Sequence, residues 1–222
     1  MGRLIGSGRT ADVYEIDRDW VLRRDREGYG DALAEGEMMA HVRGHGYPAP
    51  RVRLDGSSRT ELVMERLTGP TMLGALNEGT LGPDEAGAEL ARLLRRLHGL
   101  PGRRPGTRVL HLDLHPDNVI LTPDGPFVID WSNARDGDPG LDWGSSAVIL
   151  AQVAVGDEDL AEAAHALLAA LLADPSDLTE AGLGEALRAR AANPTMTERE
   201  TGLLGAAGKL IRTFLPGGGR PS

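Results

Sequence analysis

The chain has 222 residues, enough for one large domain or two small lobes around a real hydrophobic core. Apolar residues make up 41% and charged ones 26%, as in folded soluble proteins, and 24 basic against 33 acidic residues give a net charge of −9. That charge argues against general nucleic-acid or anionic-membrane binding, and the lack of cysteine excludes disulfides, thiolate nucleophiles and cysteine-based zinc sites.

No apolar run approaches the ~18 residues of a membrane span, and no signal-peptide core opens the chain, so a cytoplasmic protein is expected. Leu4 to Asp17 carries two extended runs around a glycine-rich bend, and Asp19 to Arg24 continues as a third strand. Asp31 to Gly46 reads as a helix with Leu33, Met38 and Val42 on one face. The prolines after Tyr47 cannot continue it, and Thr60 to Leu67 predicts a buried strand. Residues 66–82, rich in Gly and Thr, predict a linker. Leu90, Leu93, Leu94 and Leu97 stand at helical spacing behind Pro83, the pattern of a core-facing helix. Beyond residue 141 the pattern is helical, with breaks expected near Gly156, Asp174-Pro175, Gly182–Gly184 and Asn193-Pro194. The expected layout is a β-rich lobe over 1–66, a mostly helical lobe over 67–216 and a flexible tail over 217–222.

The stretch His111 to Ser132 concentrates the chemistry. Val119–Thr122 and Phe127–Ile129 flank Pro-Asp-Gly-Pro, a hairpin signal. Symmetric pairing would set Asn118 opposite Asp130 with Cα atoms about 5 Å apart. Asp113 lies five residues before Asn118, bracketed by His111 and His115. Two carboxylates and a carboxamide at one hairpin mouth suit a hard cation such as Mg²⁺ carrying phosphate. On a strand, His111, Asp113 and His115 would instead share one side, as metal ligands of a hydrolase with Asp130 could. The bend Gly6-Ser7-Gly8 would let backbone N–H groups approach phosphate. No helix follows it, so a dinucleotide-binding fingerprint is excluded, and the single lysine, Lys209, has no Ser or Thr after it for a phosphate-binding loop. Strand alternation puts Val21 and Arg23 on one face, and the following helix carries Glu35 and Glu37. An arginine aimed into a cleft could grip phosphates and pair with a glutamate.

In this order the motifs resemble the aminoglycoside phosphotransferase family of small-molecule kinases. That resemblance implies an α+β, protein-kinase-like bilobal fold. "GSGRTADV" is similar to the family's glycine-rich loop, and "VLR" to the strand that normally ends in a phosphate-binding lysine, a role this gives to Arg23. Glu35 would pair with it, with Glu37 as the fallback. "LVMERLTG" resembles the hinge, with Met64 as gatekeeper and the Glu65 carbonyl and Leu67 amide facing adenine. "HLDLHPDN" resembles the catalytic loop, "IDWS" the metal-binding motif, and "GDPGLDW" a segment whose Asp142 braces the loop. The resemblance thus implies Asp113 as catalytic base, Asn118 and Asp130 as Mg²⁺ ligands, and Gly6, Ser7, Gly8, Val13, Val21, Arg23, Glu35, Met64, Glu65 and Leu67 at the nucleotide. The expected reaction moves the γ-phosphoryl group of ATP, or of GTP, to a hydroxyl of a small molecule, an antibiotic or a metabolite. Arg23 in place of lysine also fits a non-catalytic nucleotide-binding module. Asp159, Glu162, Glu180, Glu185, Glu198, Glu200 and Glu158 in the helical region would suit a cationic acceptor.

Overall fold

The computed structural model describes residues 2–8, 11–26, 30–156, 159–175 and 177–215. The expected tail over 217–222, Arg9 and Thr10 of the glycine-rich bend, and Glu158 lie outside them.

Strands β1 (Leu4–Ser7), β2 (Ala11–Glu15) and β3 (Trp20–Asp25) form an antiparallel meander. Helix α1 (Ala32–Gly44) follows, its first turn capped by Asp31, whose carboxylate accepts the Ala34 N–H at 3.1 Å. It buries Ala32, Glu35, Met38, Met39 and Val42. Strands β4 (Val52–Arg53) and β5 (Glu61–Glu65) complete a five-stranded sheet ordered β1-β2-β3-β5-β4. Its register sets Val13 beside Arg23, Arg23 beside Leu62 and Val21 beside Met64.

The segment over 66–82 is not a bare linker. It contains helix α2 (Met72–Asn77), because Thr71 accepts the Gly74 N–H at 3.0 Å and Met72 and Ala75 are buried. The Leu121 N–H donates to Pro70 O at 2.9 Å, and Gly69 sits at φ +146 with a Cβ position only 2.0 Å from Leu121 O. Only glycine permits that approach.

Helix α3 (Pro83–His98) buries Leu90, Leu93, Leu94 and Leu97 as the spacing predicts. Strand β6 (Arg108–Leu110) leads to the hairpin of β7 (Val119–Thr122) and β8 (Gly125–Val128), and β9 (Arg135–Gly137) returns to pair with β6. Helices α4 (Pro139–Gly156), α5 (Ala161–Leu171), α6 (Glu180–Ala191) and α7 (Glu198–Arg212) follow, with α4 packed against all three others. Gly182–Gly184 is no break; it lies inside α6. A Cβ on Gly182 would sit 2.5 Å from the Gly140 carbonyl, so glycine here serves a close helix crossing rather than a turn. The chain is thus α+β, a sheet-rich N-terminal region followed by a mainly helical one. No helix among the described residues is long and apolar enough to cross a membrane.

Candidate active site

The loop after β6 is held from below by Asp142 in the first turn of α4, fully buried. Its Oδ2 accepts the His111 N–H at 2.9 Å and its Oδ1 the Leu112 N–H at 2.6 Å. His98 Nε2 donates to the same carboxylate at 2.9 Å. Burial alone would raise the Asp142 pKa, yet these donors, His98 foremost, hold it below its ordinary value. The bracing fixes Leu112 at φ +67, a left-handed turn that a leucine adopts only when its surroundings impose it.

His111 is buried, its ring edge-on to Trp131 at 4.8 Å between centroids. Its Nε2 donates to Ile129 O at 3.0 Å and its Nδ1 accepts the Asp113 N–H at 3.3 Å. Both nitrogens are therefore engaged. Residues 111–118 also form a loop ending in a 3-10 turn at Pro116–Asn118, so no strand alternation aligns His111, Asp113 and His115. The hydrolase-type ligand set is thereby corrected: one proposed ligand has no lone pair left. Among the described residues no group of three or more His, Asp or Glu side chains is placed to hold a metal.

Asp113 is half-buried and 3.8 Å from His115. Burial pushes its carboxyl above the ordinary range, partly offset by His115, and burial lowers the His115 imidazole. Asn118 turns its amide nitrogen to Asp113, 2.8 Å from the main-chain oxygen and 3.4 Å from Oδ2. That leaves the amide oxygen as the ligand-type atom.

Asn118 and Asp130 do not face each other. The register sets Val119 beside Val128, and the Ile129 N–H donates to Asn118 O at 3.0 Å. The hairpin closes through Pro123-Asp124 alone with Gly125 at φ +111, one pairing step away from the symmetric expectation. Asp130 then leaves the ladder at φ +59, and its Oδ1 accepts the Ser132 hydroxyl at 2.7 Å. Both side chains still reach one cleft. Together they offer a carboxylate and an amide oxygen, hard donors in a set too small to enclose an ion. This suits Mg²⁺, which keeps phosphate and water in its other positions.

Across the cleft, Arg23 forms an ion pair with Glu35 through Nη1 and lies 3.2 Å from Asp25 through Nη2. Glu37 is instead exposed and 3.9 Å from Arg103, so the fallback partner is not used. Burial pushes the Glu35 carboxyl up to about 7, against the lowering effect of Arg23. The guanidinium keeps its proton more tightly than usual despite burial, because Glu35 and Asp25 flank it. Asp25 escaped the sequence reasoning, although its position two residues along the strand from Arg23 signals a shared face.

Between the two regions opens a cleft of about 1610 Å³. Gly6, Ser7, Gly8, Val13, Val21, Arg23, Glu35, Met64, Glu65 and Leu67 line it from the sheet side, and Asp113, Asn118 and Asp130 from the helical side. The residues expected at the nucleotide, Asp113 and the two expected metal ligands all line this one space, whereas Glu37, His111 and Asp142 do not. At the far end of the cleft, α4 contributes Gln152, α6 Arg190, the segment after α6 Asn193, and α7 Arg199 and Glu200. Arg190 Nε donates to Gln152 Oε1 and Gln152 Nε2 to Glu200 O, each at 2.9 Å. Nothing local in the sequence marks these residues, since three separate helices bring them together. Of the described acidic residues beyond residue 141, only Glu200 lines the cleft, and its carboxylate caps α7 by accepting from Thr197.

Residues 2–108 and 102–183 match the phosphotransferase enzyme family. No curated protein matches. Among solved structures, the streptomycin–ATP ternary complex of APH(2″)-IIa superposes with a TM-score of 0.57 at 14% identity, covering 95% of this chain and 90% of that one. The amicoumacin kinase hAmiN, in complex with AMP-PNP, Ca²⁺ and Ami, gives 0.54 at 13% identity over 94% and 87% of the two chains. The aminoglycoside-3′-phosphotransferase of type VIII gives 0.53 at 19% identity over 96% and 92%. The shared architecture is that of the protein-kinase-like fold.

Proposed function

The chain belongs to the phosphotransferase enzyme family, and we propose that it is an ATP-dependent small-molecule kinase acting on a hydroxyl group, with the cleft between its two regions carrying the reaction and Asp113 as proton acceptor. Phosphoryl transfer depends mainly on positioning and on neutralising charge. Asp113, raised in basicity by burial, takes the proton of the acceptor hydroxyl. Asn118 holds that carboxylate in place from the neighbouring turn. Arg23, flanked by two carboxylates, grips the non-transferred phosphates, and the backbone of Gly6 to Gly8 covers them. Val13, Val21 and Met64 sandwich the base, while the Glu65 carbonyl and Leu67 amide read its edge, for ATP or GTP alike. Asp130 and Asn118 would hold Mg²⁺, which would supply charge neutralisation to the phosphates. We assign residues 1–66 to the nucleotide lobe and 67–216 to the catalytic and acceptor lobe, in a cytoplasmic setting where ATP is supplied.

One observation carries this most directly: Arg23 from strand β3, Asp113 and Asn118 from the 111–118 loop, and Asp130 from the turn after β8 border a single cleft. The acceptor, an antibiotic or a metabolite, enters at the end bordered by Gln152, Arg190 and Arg199. The described acidic residues that would suit a cation stand mostly elsewhere, with Glu180 paired to Arg212 and Glu185 beside Arg135. The test is an ADP-release screen in Mg·ATP with aminoglycosides, macrolides, nucleosides, amino alcohols and sugars. Acceptor-dependent ADP is expected. Tight Mg·ATP binding without turnover on any acceptor would instead favour a non-catalytic nucleotide-binding module, the reading that arginine at position 23 also suits.

A further inference from the structure

Position 23 carries arginine where the related kinases are expected to use lysine, and two ion-pair partners flank it. Val21, Arg23 and Asp25 alternate onto one face of β3, the face turned to α1 and the cleft. The guanidinium divides its two terminal nitrogens between carboxylates: Nη1 goes to Glu35, Nη2 to Asp25 at 3.2 Å. All three side chains are nearly sealed, with exposures of 13% for Arg23, 7% for Asp25 and 5% for Glu35. Asp25 Oδ1 is fully screened from solvent and accepts no hydrogen bond among the described residues. Among the described residues, the Arg23 guanidinium is the cation that pairs with it.

We infer that Asp25 is a positioning residue matched to Arg23, locking the guanidinium fork so that its remaining N–H groups face the nucleotide phosphates. Guanidinium has five N–H donors in a rigid plane, so one can bond Glu35 and Nη2 can sit beside Asp25 as an ion pair while others stay aimed outward. An ammonium gathers its three donors on one point, so it lacks the spread of a planar fork needed to reach two carboxylates on separate elements and a phosphate at once. Lysine at 23 would turn to one carboxylate and strand the other in a dry site, where an unpaired charge is strongly unfavourable. Arginine at this position is therefore not a weakened lysine; it forms a unit with Asp25. The role in nucleotide binding rests on the phosphotransferase function proposed above, whereas the coupling of Arg23 to Asp25 does not.

A double-mutant cycle tests this with Arg23→Lys, Asp25→Asn and the two combined, read by Mg·ATP titration calorimetry, steady-state kinetics and thermal unfolding without nucleotide. Arg23→Lys alone is expected to weaken Mg·ATP binding about tenfold or more and to lower Tm by several degrees. Asp25→Asn alone is expected to raise the KM for ATP about three- to tenfold with a much smaller change in kcat, a split that simple destabilisation does not produce. The combined variant is expected to recover most of both losses, since lysine then faces a single carboxylate. Additive losses in the combined variant, or an Asp25→Asn protein with unchanged KM, would overturn the inference. If Arg23→Lys does not fold, the KM and kcat of Asp25→Asn decide. If the wild-type protein binds no Mg·ATP, the kinase function fails separately, and non-additivity in Tm still decides whether the pair is coupled.

Discussion

The main-chain N–H of Trp131 donates to Glu35 Oε1 at 3.2 Å, while the other oxygen of the same carboxylate pairs with Arg23. Glu35 therefore joins three elements: the strand carrying the cation, helix α1, and the turn that presents Asp130. A buried carboxylate with that many duties reports on assembly of the whole cleft.

Its proton gives a pH signature. The Glu35 carboxyl is pushed up to about 7 by burial, which exceeds the lowering effect of Arg23, from an ordinary value of 4.5. A folded-state pKa above the unfolded one means that the native protein holds the extra proton, so this contribution is complete below pH 4.5 and lost as pH rises through 7. Unfolding of the nucleotide-free protein should show Tm falling across that window, and Glu35→Gln should flatten the slope. An unaltered slope in the variant would exclude Glu35 as its source.

Asp113→Asn removes the proposed proton acceptor while keeping the shape of the loop. Turnover should fall about 10²- to 10⁴-fold with Mg·ATP affinity preserved, measured by acceptor-dependent ADP release beside calorimetry. Full activity would remove Asp113 from the chemistry.

Asp130→Ala deletes the carboxylate from the set that suits Mg²⁺. Nucleotide binding should lose its dependence on Mg²⁺, so that titrations with and without the ion coincide. A persistent Mg²⁺-dependent gain in affinity would show that the ion is held elsewhere.

Asp142→Ala should leave the His111 and Leu112 N–H groups and His98 Nε2 buried without their acceptor. A loss of roughly 3–5 kcal/mol is expected from the broken buried network, seen as a lower urea midpoint. Activity should fall further than stability alone explains, because Leu112 would be released from its left-handed conformation one residue before Asp113.

Gly182→Ala tests the α4–α6 crossing. In an open helix this change is stabilising by about 1 kcal/mol. Here the new methyl would meet the Gly140 backbone at 2.5 Å, so the sign should reverse, with a loss of about 1–3 kcal/mol from overpacking. A raised Tm would show that the two helices separate freely.

Much of the site is written in short-range pattern. Asp113, Asn118 and Asp130 lie within eighteen residues, on a hairpin announced by β-branched runs and turn residues, and Arg23 shares a strand face with Val21. Helices α1 and α3 follow from apolar spacing, because a regular element repeats its buried face at a fixed interval. Capping by Thr71 and burial of Met72 were harder to see, and they turned an expected linker into helix α2. Gly182–Gly184 misled for the same kind of reason: glycine signals either a turn or a close approach, and only the neighbouring helix tells which.

By itself the sequence determined which residue types could do the chemistry and their order along the chain, since alternation, capping and turn preference act over a few residues. Only the tertiary structure decided that Asn118 pairs across the hairpin with Ile129, that Asp25 shares Arg23 with Glu35, and that Gln152, Arg190 and Arg199 border the same cleft. Those relations join residues from separate strands and helices, and packing between distant elements leaves no local period to read.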